Sequence, residues 1–194
     1  MQINTLTLIT VLATAIILVI GGFLAIAFYS SRRTKRLKEE FGPEYDRTID
    51  EAGSRRKAEA SLEERQQRVE ALQMRTLSSD EQHHFVQEWK SIRAEFIDDP
   101  GSMVNESDRL ITEVMLALGY PMVNFDQRIE DLSVGHPELV PYYRDAHVTA
   151  IENRLSSAST EKLRQAMLDY QQVFEELLGI NISEEQKSEM VMAD

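Results

Sequence analysis

The chain has 194 residues and a formal charge of −12, from 21 Lys and Arg against 33 Asp and Glu. That charge is uneven: residues 32–76 hold 12 Lys and Arg against 10 Asp and Glu, while residues 77–194 hold 9 against 23. The acidic bulk argues against nucleic-acid binding, for want of cations to neutralise phosphate, and the absence of Cys rules out disulfides, thiolate metal sites and a Cys nucleophile.

Met1 to Ser31 carries no charged side chain. Within it Leu6 to Tyr29, LTLITVLATAIILVIGGFLAIAFY, would form a helix of about 36 Å, enough to cross a hydrocarbon core of about 30 Å with some tilt. Fourteen of those residues are Leu, Ile, Val or Phe, which together favour insertion by roughly 4 to 8 kcal/mol. Residues 1–31 therefore read as an uncleaved transmembrane anchor. Arg32, Arg33, Lys35, Arg36 and Lys38 follow at once, and such a basic cluster keeps its own flank cytoplasmic. The expected topology is single-pass in the lipid bilayer, with the N-terminus out and the C-terminal domain in the cytoplasm. The alternative is an exported domain, because Ala25-Ile26-Ala27 also fits a signal-peptide cleavage pattern. Gly21 and Ala25 form a small-xxx-small pair that would let two such helices meet in a homodimer.

Residues 32–76 read as the basic juxtamembrane segment followed by a polar helical stalk. Gly42-Pro43 should interrupt the helix that leaves the membrane. A heptad can be traced through Ala58, Leu62, Val69 and Leu72, yet Arg55 and Arg65 fall on the same seam. That pattern predicts a solvated stalk, or a helix packed by one edge, over a coiled coil.

Residues 77–180 carry sharper signals. Overlapping capping boxes at Ser78-x-x-Glu81 and Ser79-x-x-Gln82 precede a helical stripe of Phe85, Trp89, Ile92 and Phe96, which Asp98-Asp99-Pro100 ends. The next stripe is Met103, Leu110, Ile111, Val114, Met115 and Leu118, stopped by Gly119 and Pro121. A short helix through Phe125, Ile129 and Leu132 follows. His136-Pro137 then opens a helix that places Tyr143, His147, Ile151 and Leu155 on one face. Ser159 caps the last helix, striped by Leu163, Met167, Tyr170, Phe174 and Leu177 and closed by Gly179. The predicted fold is all-α: an N-terminal transmembrane helix, the polar helical stalk, and an acidic antiparallel helical bundle of about four main helices. Residues 181–194 read as a flexible acidic tail.

The motifs FGPEYDR (41–47), FIDDP (96–100), GYP (119–121), LSVGHP (132–137), YRDAH (143–147) and STEKLRQAMLDY (159–170) resemble a family of short, uncharacterised bacterial single-pass membrane proteins. The resemblance runs from the basic cluster to Leu177. It implies the same architecture and brings no activity or catalytic residues with it.

Candidate chemistry is sparse. Glu81-x-x-His84 has the spacing of half a di-iron carboxylate site, but no second Glu-x-x-His exists to complete it. His136 reads as a turn residue and His147 as a half-buried histidine bonded to Tyr143 or a carboxylate. Asp98-Asp99 reads as a helix stop and cap. No phosphate loop or nucleophile elbow is present. The sequence thus assigns no catalytic, cofactor or metal residue, and points to a non-catalytic module that binds an unknown protein partner. The other reading is a bundle holding a small ligand or metal, with Tyr143, His147 and Tyr170 as its polar lining.

Overall fold

The computed structural model describes residues 5–121, 124–155 and 158–180, and among them every regular element is helical. The chain divides into two compact units, Met1–Leu62 and Glu63–Asp194.

The first unit begins with α1 (Thr5–Phe41), a single helix of 37 residues. The described side chains of its apolar part, Leu12 to Tyr29, are exposed, whereas Leu37 and Phe41 near its other end are fully buried. Gly42 takes φ 48 and ψ −125, a backbone state that a side chain strongly disfavours, and Pro43 opens α2 (Pro43–Ala52) with its φ already set for a first helical turn. A second turn at Gly53 and Ser54 leads into α3 (Arg55–Glu70). Residues 32–62 are therefore folded back in three pieces. Their small core is Leu37, Phe41, Tyr45, Ala58 and Leu62.

The register of these pieces is fixed by Glu59, which is buried on α3. Its Oε1 accepts hydrogen bonds from the Thr34 hydroxyl of α1 at 2.6 Å and the Tyr45 hydroxyl of α2 at 3.0 Å. Arg33 lies 3.9 Å from its other oxygen. Leu62, one turn further along α3, is fully buried, and so are Leu37 and Phe41 one and two turns beyond Thr34. Residues on the other side of Thr34, from Phe28 to Ser31, are exposed. With Glu59 level with Thr34, and Leu62 buried as Leu37 and Phe41 are, this pattern favours α3 running in the same direction as α1, with α2 returning between them.

The second unit contains the rest of α3, the non-helical stretch 71–78, and then α4 (Ser79–Glu95), α5 (Pro100–Leu118), α6 (Phe125–Gly135), a 3-10 turn at Pro137–Leu139, α7 (Val140–Arg154) and α8 (Thr160–Leu178). Local chemistry sets the ends. Ser78 and Glu81 form a full capping box, Asp99 caps α5 through the Ser102 amide, and Asn124 and Ser159 cap α6 and α8. Each such cap is worth about 1 kcal/mol. The core gathers Phe85, Trp89 and Ile92 of α4, Leu110, Ile111 and Val114 of α5, and Leu163, Tyr170 and Phe174 of α8. Trp89 and Phe174 stack at 4.9 Å with their planes 13° apart.

α7 differs from its predicted face. It buries Val140, Tyr143, Ala146 and Ala150, while Ile151 and Leu155 are exposed. The alanines of α7, together with Ala166 of α8, leave small side chains on facing helices and permit close packing there. Ile151 and Leu155 fall outside that seam.

Of the two cations on the heptad seam of α3, Arg55 is exposed and Arg65 is engaged, together with Arg68. Arg68 donates to Asp131 and Glu130 of α6 at 2.8 Å each, and Arg65 to Glu130 at 3.3 Å. Further on, the Arg75 amide donates to the Leu118 carbonyl at 3.0 Å. Gly119 has φ 102, and a Cβ there would meet the Gln73 carbonyl oxygen at 2.7 Å, so both conformation and space demand glycine.

Candidate functional site

The polar residues that the structure draws together in the second unit centre on Asp108. It sits on α5, one turn after Val104 and beside Ser107, both buried. Its Oδ1 lies 2.8 Å from His147 Nδ1 on α7 and accepts the Tyr170 hydroxyl of α8 at 2.9 Å. Arg154, two turns along α7 from His147, brings Nη1 to 3.8 Å from Oδ2. One carboxylate thus ties three helices.

The electrostatics follow from that geometry. Burial raises the pKa of Asp108, but the hydrogen bond and charge of His147, the Tyr170 hydroxyl and the Arg154 charge outweigh it and hold the group below the ordinary carboxylate range. An ionised carboxylate can only accept, so Nδ1 of His147 carries the proton and Nε2 is left as the ring's other face. Burial, reinforced by the nearby Asp108 charge and hydrogen bond, drives the Tyr170 hydroxyl far above its usual pKa. It remains a donor at any ordinary pH.

Aromatic rings wall the cluster. Phe125 stacks on the His147 ring at 3.7 Å and 11°, and meets Tyr143 edge-on at 5.2 Å. Tyr143 is fully buried, and its hydroxyl makes no hydrogen bond of good geometry, although Thr112 and Arg128 lie beside it. The three residues named from the sequence as a polar lining, Tyr143, His147 and Tyr170, therefore do converge. Asp108, the group that organises them, was not singled out there. It lies 39 residues from His147 and 62 from Tyr170 in sequence, so no local spacing signals the pairing.

Chemically the trio resembles an oriented imidazole: a carboxylate fixes the tautomer and direction of a histidine. Among the described residues no Ser hydroxyl bonds to it, and the chain has no thiol. Ser107, the nearest serine in sequence, donates to the Met103 carbonyl and contacts Met167 sulfur. The arrangement can hold a polar group or move a proton at Nε2, and it cross-links α5, α7 and α8.

Other candidate residues disperse. Glu81 is taken by Arg75 at 2.7 and 2.9 Å and by Ser78, contacts that lower its pKa to about 2. His84 is exposed and 3.7 Å from Glu88, itself bonded to Arg109. The Glu-x-x-His spacing is thus spent on a helix cap and surface ion pairs. His136 lies 3.6 Å from Glu138 and 4.0 Å from Glu176, and ligand atoms of the three fall within 4.8 Å of one another. They could approach a divalent cation, though both carboxylates are solvent-exposed and chelation would need bonds of about 2 Å.

The five cations of the basic cluster, Arg32 to Lys38, sit in the first unit. Arg32, Lys35, Arg36 and Lys38 are exposed, Arg33 faces Glu59, Lys38 pairs with Asp46 at 3.4 Å, and the Arg32 guanidinium lies over the Phe28 ring at 4.3 Å. FGPEYDR is a structural turn in which Phe41, Glu44 and Tyr45 are buried and Arg47 pairs with Glu51 at 2.7 Å. No protein-family model, curated protein or solved structure matches this chain.

Proposed function

We propose that the chain is a membrane-anchored, non-catalytic interaction module, a helical bundle presented to the cytoplasm at a bacterial inner membrane and engaging a protein partner. The reading rests on α1. One end of this helix is uncovered apolar surface and the other is rooted in a folded core through Leu37 and Phe41. Exposed apolar surface of that length is unstable in water and suited to lipid. The basic residues at the change-over favour retention of the C-terminal part inside.

Protease added to intact spheroplasts should leave the C-terminal part whole, and digestion without lysis would overturn the topology. In-cell crosslinking should capture a reproducible partner that is lost when surface residues of the second unit are changed. Capture that merely tracks abundance would count against the interaction role.

The Asp108 cluster favours a second reading, a small polar ligand held against His147. Metal and ligand analysis of the purified full chain tests it, and a stoichiometric group retained through chelation and dialysis would support it.

A further inference from the structure

We infer that the turn between α2 and α3 returns to the bilayer surface, so that Arg55, Arg56 and Lys57 join Arg32, Lys35 and Arg36 in one collar that binds the headgroups of an anionic phospholipid leaflet. This rests on the membrane-anchored reading above.

The level of the turn follows from the Glu59 register. Glu59 stands beside Thr34 and Arg33, and the burial of Leu62 together with Leu37 and Phe41 favours α3 running parallel to α1. Arg55, one turn earlier, therefore lies about 6 Å nearer the apolar end, level with about Ser30. α2 supports the same geometry: Lys38 pairs with Asp46 near its start, and its ten residues descend about 15 Å before Gly53. Azimuth around α1 is immaterial, because a bilayer surface surrounds the helix on every side.

The charges at that level fit an anionic surface. Arg32, Lys35, Arg36, Arg55, Arg56 and Lys57 are all exposed, against Asp50 and Glu51 at the foot of α2 and Glu39, which lies 3.8 Å from Lys35. Arg33 is turned to Glu59 and adds little. The first turn of α3 carries three cations and no acid, against the direction of the helix dipole, whose positive end lies there. Such an arrangement opposes local helix stability and becomes favourable when phosphate groups face both the side chains and the first-turn amides. Heptad and helix-period patterns conceal it, because Arg55 lies 23 positions after Arg32 in the chain.

Because the chain has no Cys, a single probe can be placed with no native cysteine to remove. Full-length Ser54→Cys and Asp46→Cys proteins, each carrying an environment-sensitive fluorophore, are reconstituted in nanodiscs of phosphatidylcholine alone or with phosphatidylserine. With phosphatidylserine the probe at 54 should lose most of its quenching by aqueous acrylamide, a neutral quencher, while the probe at 46, at the far end of α2, stays quenchable in both lipids. R55Q/R56Q/K57Q in the Ser54→Cys background should abolish that protection, and since those side chains are exposed the helical content should hold by circular dichroism. A probe at 54 as quenchable as that at 46, in protein that co-purifies with the discs, overturns the collar and leaves the anchor standing. Protein that fails to enter the discs overturns both.

Discussion

Two carboxylates, the buried Glu59 in the first unit and the half-buried Asp108 in the second, do the same job in different surroundings. Each accepts a tyrosine hydroxyl and one further donor from other helices, and each has an arginine near its second oxygen. Glu59 works among a handful of apolar side chains, where hydrogen bonds set the register of α1, α2 and α3. Asp108 sits in a unit whose core spans α4 to α8, where packing already fixes the helices. The contrast teaches that a polar tie carries a larger share of local order where less apolar surface is available to bury.

Truncating Trp89 should produce the largest effect. It is fully buried against Phe174, so Trp89→Ala should destabilise the second unit by about 4 kcal/mol. Chemical denaturation followed by circular dichroism measures it. A loss as small as that from a surface change would mean packing does not dominate there.

Asp108→Asn comes next, at about 2 kcal/mol, since it weakens two hydrogen bonds inside the fold. It should also alter the acid limb. Because the folded pKa of Asp108 is depressed, its contribution is complete above the unfolded carboxylate value of about 3.9 and drains away as pH falls through the folded value. The variant should therefore lose less stability than the parent between neutral pH and the acid end of that window. Parallel acid limbs would show that the pair adds no net stability.

Glu59→Gln should cost about 1 kcal/mol, confined to the first unit. Hydrogen exchange should quicken over residues 43–62 while the unfolding of the second unit is unchanged. Uniform protection in the variant would place the register in packing alone.

The smallest effect concerns Asp169. Burial raises its pKa, with Gln165 opposing and Asp145 adding to the rise. A raised folded pKa means the ionised form is disfavoured, so the penalty is absent below the unfolded value and present once pH exceeds the folded one. Asp169→Asn should therefore stabilise by about 0.3 kcal/mol at pH 7 and by nothing below about pH 3.5, as thermal melts would show.

Much of the helical order was legible from local chemistry. Ser78 with Glu81, Asp99 before Pro100, Ser159, Gly119 and Gly179 act at the helix ends where their types and spacings place them, because caps involve residues within a turn or two. What could not be read involves partners far apart in the chain. Arg65 spoils a heptad as sequence, yet in the structure it faces Glu130, 65 residues away, and belongs to the packed surface. Ile151 and Leu155 keep the right period but miss the seam that the alanines select. Of the candidate site, the three ring-bearing residues on α7 and α8 were visible as a stripe, whereas Asp108 lies on another helix in a run of ordinary polar residues.

The entrance to the second unit has a mechanical side. A pull applied at Glu63 is met first by the guanidinium groups of Arg65 and Arg68 gripping α6, then by the Arg75 backbone clasping the end of α5, with Gln73 seated against Gly119. Tension is thus taken up in series before it arrives at Ser78. The chain is strain-relieved ahead of α4, as a cable is clamped before its connector.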